Sequence, residues 1–467
     1  MNKMDHLFNL FKGPIKEISQ HPISFFLLVL GSGQALLTFY PGSMSVDSWQ
    51  QFQQATLGSY NDWHPPIMAW VWHHLLWIKK GPQPMLFLHI GMFWLGLFLI
   101  WYRFAQKKLY AYILVPFLGF LPGVIGMMGV IWKDISLGST LVLVVGLLVF
   151  NHRNKKITIL LVLLSLFYGT AVRWNAIGLT LPFYILAPYL LGVGAGKQNK
   201  KKGRWVPFYP LLVGLSLMLL TVILTHLWQN YVINAKKTYQ YQTIIFHDLS
   251  FIGEKTQSEP IPLPFRTKNY SVLTVKNALK DLRASDGFMW GSDAPFTTIE
   301  DIVEINKLTT IWLKTIWNFF PYYFQIRIQL YKSLHSIGFG QCRISHYHIP
   351  AEVGGGIFWM RHWRNYLSFT TTELATLTPL FSGWFYLLLS FLGLIMALLL
   401  KGEFRWHAIL CFISSISYSV CYFPAVGSCD FRYLWPISIL PCLGLVLVTA
   451  DFKFKICFDK LKKIRQI

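Results

Sequence analysis

Residues 41–66 read PGSMSVDSWQQFQQATLGSYNDWHPP. This polar run sits between two apolar blocks and carries Asp47, Asp62 and His64 but no Lys or Arg. If its flanks cross a membrane, these groups stand at the mouth of a helix bundle. A carboxylate there, with no local cation, is a candidate for chemistry or ligand binding. The plainer alternative is a connecting loop with helix caps. The run predicts a short helix, with Ser45 as N-cap, Asp47 in the first turn and Gly58 as the stop. Pro65 and Pro66 then break the chain.

The flanks do read as membrane. Of the 467 residues, 54% are hydrophobic, 17% aromatic and only 13% charged, and mean hydropathy is +0.43. A soluble chain carries about a quarter charged residues. Apolar runs of bilayer length recur. The expectation is an all-α polytopic membrane protein with spans near 21–40, 84–102, 109–130, 135–150, 157–172, 176–194, 207–229, 379–400, 406–423 and 433–450. The first is read as a retained span rather than a cleaved signal. Two shorter apolar stretches, 67–78 and 311–330, are read as interfacial helices; the second is interrupted by Lys314, Pro321 and Arg327. Three parts follow: a transmembrane module over 1–230 that includes the polar loop, a long outer region over 231–378, and C-terminal helices with a basic tail over 379–467.

The net charge of +22 would point to nucleic acid in a soluble chain, but no nucleic-acid motif is present. The excess fits the positive-inside rule instead. Of 42 Lys and Arg, 22 fall in segments that this topology places inside, so both termini are expected in the cytoplasm and the polar loop outside. The expected location is a bacterial inner membrane. None of the six cysteines forms a CxxC pair or a zinc spacing. Cys421 and Cys429 flank one span end and are a candidate pair. The spacing of His346 and His348 is a weak metal signal, and Gly354 to Gly356 reads as a bend rather than a phosphate loop.

The topology collects polar groups on the outer face: Asp47, Asp62 and His64; Lys133 and Asp134; Arg173 and Asn175; and Asp430 with Arg432. Taken singly, each cation is explained by snorkelling to headgroups. Together, carboxylates and guanidiniums beside an apolar wall suit an anionic headgroup, because the planar Arg fork donates two hydrogen bonds to phosphate. The reaction that fits is sugar transfer from a polyprenyl-phosphate-linked donor to a glycan, lipid or protein acceptor. A carboxylate would act as general base while cations stabilise the leaving phosphate.

At PGSMSVDSWQQFQQA, NDWHPP, WKD and RWNAI the chain resembles bacterial multi-spanning proteins of the GT-C glycosyltransferase superfamily, including the dolichyl-phosphate-mannose mannosyltransferase-like branch. The resemblance is firmest over residues 20–190, weaker at FRYLWP, and absent from the long outer region. It implies an inverting transferase in which Asp47 is the catalytic acidic residue of the first outer loop, His64-Pro65-Pro66 is the following motif, and Asp134 is the acid that opens the fourth span. The chain departs from the pattern at Ser48, where a second acid usually follows the first. Asp62, His64, Lys133, Asp134, Arg173, Asn175 and Arg432 are the expected substrate-binding residues. No cofactor motif is visible, and a divalent metal is left open. The rival classes are a lipid or glycan transporter (flippase), against which the lack of internal repeats speaks, and a non-enzymatic assembly factor.

Overall fold

The computed structural model describes residues 14–150, 154–193, 208–280, 285–338, 342, 344 and 356–451. His346, His348, Gly354, Gly355 and the basic tail lie outside them. The described residues are mostly helical and contain no β-strand, only isolated bridges such as Ser43 to Val130.

The N-terminal part holds α1 (Pro22–Phe39), α2 (Val46–Leu57), α3 (Ile67–Leu75), α4 (Gln83–Gln106), α5 (Pro122–Met128), α6 (Lys133–Phe150), α7 (Lys155–Ala171), α8 (Ile177–Leu190) and α9 (Phe208–Leu227). The long hydrophilic region holds α10 (Gln242–Thr256), α11 (Val272–Lys280), α12 (Ile302–Asn318), α13 (Phe320–Leu334) and α14 (Arg361–Leu377). The chain closes with α15 (Gly383–Leu399), α16 (Arg405–Tyr422) and α17 (Trp435–Asp451).

Among the described residues, five helices are long and apolar enough to cross a membrane, and six if one bent pair counts as a span. That pair stands where one span was expected over 109–130, and it is bent rather than continuous. Residues 110–120 form 3-10 turns, and α5 follows at an angle of 51°. Pro116 and Pro122 remove amide donors there, which breaks the helical ladder. α8 and α15 are apolar but shorter, and α7 and α16 occupy two further expected spans. The expected pair at 311–330 is indeed two helices, α12 and α13. They part at Phe319, with Pro321 in the first turn of α13.

α4 and α6 pack intimately because glycines face each other. A Cβ on Gly96 would lie 2.5 Å from the Val142 carbonyl oxygen, and one on Gly146 would lie 2.5 Å from the Gly96 oxygen. Small residues at such a crossing allow backbones to touch. This contact fixes the axis of α6, and hence its polar first turn. At the other flank the Trp435 indole donates to the Val124 carbonyl (3.1 Å), which seats the start of α17 against α5.

The cysteine expectation is corrected. Cys429 is bonded to Cys342, not to Cys421. Cys421 is a free thiol in contact with α8 at Gly178.

Candidate active site

The polar loop folds as its residues predict. Ser45 caps α2 in a capping box with Ser48, Asp47 lies in the first turn, and Gly58 ends the helix in a left-handed conformation (φ 65°). The box satisfies two amides that the helix start leaves open. The same serines then anchor the helix to the start of α6. The Ser48 hydroxyl donates to the Ile131 carbonyl (2.8 Å), and the Trp132 indole donates to the Ser45 hydroxyl (2.6 Å). Backbone bonds from Ser43 to Gly129 and from Ile131 to Ser43, each 3.0 Å, complete the seam. Asp47 is therefore carried to the first turn of α6.

Around it the distant polar groups converge. Arg432, in the 3-10 turn before α17, donates from Nη1 to Asp47 Oδ2 (2.7 Å). Its fork is braced by Asp430, 3.4 Å from Nε, and by the Tyr433 hydroxyl at 3.2 Å. The guanidinium lies over the Trp132 ring at 4.9 Å. His64 Nε2 sits 3.8 Å from Asp47 Oδ1, while its Nδ1 meets Lys133 Nζ at 2.5 Å. One helical step on, Asp134 is ion-paired with Arg173. Asn175 Oδ1 accepts from Arg173 Nε (2.7 Å), and the same guanidinium stacks over Tyr433 (4.8 Å) and Tyr422 (5.7 Å).

Tyr433 thus lies against both arginines and makes one cluster of two ion pairs. Seven expected residues meet in it: Asp47, His64, Lys133, Asp134, Arg173, Asn175 and Arg432. Asp62 stands elsewhere. It accepts from the Thr238 amide (2.6 Å) and hydroxyl (2.8 Å) and lies 3.6 Å from Lys237, so its carboxylate fastens the loop to the start of the long hydrophilic region. The aromatic faces of Tyr422, Tyr433 and Trp132 were not singled out beforehand. An aromatic residue next to a basic one, as in WKD and RY, is the only sequence signal for Trp132 and Tyr433, and Tyr422 has none.

The electrostatics follow from this arrangement. Burial alone would raise the Asp47 carboxyl, but the neighbouring positive charges, Arg432 foremost, outweigh it and hold the group well below the usual carboxylate range. Burial and the neighbouring Lys133 push the His64 imidazole down to about 3. The apparent ion pair with Asp47 is then one between a carboxylate and a neutral ring. With Lys133 donating to Nδ1, the ring proton resides on Nε2, which is buried and has no partner. Among the described residues no group of three His, Cys, Asp or Glu stands together, and Asp47 and Asp134 each face a guanidinium.

No family model and no curated protein matches the sequence. Among solved structures, the chain is similar to a crystal structure of ArnT from Cupriavidus metallidurans bound to undecaprenyl phosphate. Identity is 11%, over 92% of this chain and 78% of that one, and the TM-score is 0.33. So loose a superposition leaves the fold and the chemistry to this chain's own residues.

Proposed function

We propose that this protein is an integral-membrane glycosyltransferase that moves a sugar from a polyprenyl-phosphate-linked donor to an acceptor hydroxyl at the outer face. The observation that carries the reading is the position of Asp47. An ionised carboxylate lies between a guanidinium and a neutral imidazole, with a second guanidinium, an ammonium and an apolar bundle alongside. In the reaction, the acceptor hydroxyl gives its proton to Asp47 and its oxygen bonds to the anomeric carbon. The bond from that carbon to the phosphate oxygen breaks, and the polyprenyl phosphate leaves with the electron pair. A single displacement of this kind inverts the anomeric centre. Arg432, Arg173 and Lys133 stabilise the charge that develops on the phosphate. His64 Nε2 orients the carboxylate or the acceptor.

The charges also favour this reading over a flippase. Lys133 and Asp134 open α6, Arg173 lies in the turn between α7 and α8, and Arg432 precedes α17. These are helix ends, where a lipid headgroup lies, rather than mid-helix positions where a transport path needs them.

Removing a general base costs about 10²–10⁴-fold in rate. Asp47→Asn should therefore lose most transfer from a polyprenyl-phosphate sugar in liposomes while its melting temperature stays near wild type. Near-normal turnover in Asp47→Asn, with loss in Asp62→Asn, would move the base to Asp62.

The topology belongs to the same proposal: ten spans, both termini inside and residues 231–378 outside. A cysteine placed at Glu259 should react with an impermeant maleimide in intact cells. Reaction there only after permeabilisation inverts the arrangement.

A further inference from the structure

As they stand, both guanidiniums of the site are occupied by carboxylates. The two pairs differ in access. In the Asp134–Arg173 pair the side chains are 0% and 9% exposed, and Arg173 is fixed further by Asn175 and two tyrosine rings. In the Asp47–Arg432 pair they are 26% and 14% exposed. A phosphate arriving from outside therefore reaches Arg432 first. The Nη1 donor that it meets is already given to Asp47. Carboxylate and phosphate compete for the same guanidinium fork, because both offer anionic oxygens in the spacing that the fork matches.

We infer that Asp47 occupies the donor-phosphate position on Arg432 in the unliganded protein, and that the arriving phosphate displaces it. This rests on the reading of the site given above. The displaced carboxylate has somewhere to go: His64 Nε2 is 3.8 Å from Oδ1, buried and without a hydrogen-bond partner, and as an N–H it is able to donate to a carboxylate. The exchange resolves a tension in the mechanism. Paired with Arg432, Asp47 is a weak base. Once the phosphate takes the guanidinium, the carboxylate is free to accept the proton of the acceptor hydroxyl. The base is unmasked only when the donor is in place, and by linkage the masking weakens donor binding to the same extent.

Linkage makes the test directional. Undecaprenyl phosphate, titrated into the purified full-length chain in detergent, should bind Asp47→Asn about tenfold more tightly than wild type, because no anion has to be displaced. Asp47→Ser removes the same anion and should gain likewise, which covers the case of one variant folding poorly. Arg432→Ala should bind about tenfold more weakly, and adding Asp47→Asn to it should restore nothing. Unchanged or weaker binding in both Asp47 variants overturns the exchange, as does wild-type binding in Arg432→Ala. The base assignment is read separately, from transfer. Asp47→Asn that binds more tightly yet transfers normally sinks the base and leaves the exchange standing. If the wild type binds no undecaprenyl phosphate, exchange and donor fall together.

Discussion

The Asp248–Arg327 pair in the long hydrophilic region and the Asp47–Arg432 pair at the bundle mouth are both carboxylate–guanidinium contacts, and only the first is closed. Asp248 and Arg327 are fully buried. Asp248 also accepts from the Trp312 indole (2.9 Å), and Arg327 donates to the Val426 carbonyl (3.1 Å). The pair ties α10, α12 and α13 to the loop after α16. Burial raises the Asp248 carboxyl, and Arg327 opposes that rise only in part. The second pair is partly exposed and sits among further cations, Lys133 and Arg173. The difference teaches how to read buried charge. A closed, fully buried pair locks helices together, whereas a partly exposed pair is able to exchange its anion for a ligand's.

The sharpest way to break this comparison is to delete one guanidinium at a time. Arg327→Ala leaves a carboxylate buried without its partner, at a cost of about 3–5 kcal/mol. Arg432→Ala leaves Asp47 within reach of water and should cost on the order of 1 kcal/mol. Chemical denaturation in detergent measures both. Equal losses would mean that the mouth pair is as structural as the other, and would remove the basis for assigning it a ligand.

Much of the mouth cluster was legible in the sequence because a membrane context makes charge conspicuous. Lys133, Asp134, Arg173 and Arg432 stand at the ends of apolar runs, where each needs a partner or a headgroup. Their common face followed from counting spans. What could not be read was which charge meets which. The pairing of Asp47 with Arg432 joins residues 385 positions apart, and no local pattern encodes it. Arg327 was read only as an interruption of an apolar stretch, because its partner Asp248 lies 79 positions away on another helix. The break at α5 was missed for a different reason. Hydropathy alone does not distinguish a straight span from a bent one, and Pro116 and Pro122 were the available signal. Cys342 was passed over because disulfide connectivity cannot be deduced from spacing.

The smaller test concerns the histidines, one in each cluster. Burial pushes both His64 and His247 down to about 3, with Lys133 assisting at the first and Arg327 at the second. Both ordinary values are 6.5, so between about 3 and 6.5 the unfolded chain binds protons that the folded one does not. Stability is then complete above about 6.5 and falls as the pH is lowered, by about 1.4 kcal/mol per pH unit for each histidine. Denaturation curves between pH 7 and pH 5 should show this slope, and His64→Gln and His247→Phe should each remove one increment. The His64 arm bears on the site. If His64→Gln leaves the slope unchanged, the imidazole is already protonated in the folded protein. Asp47 would then have a cation on both sides, Arg432 and His64, and the mouth pair would be closed in the same sense as Asp248 and Arg327.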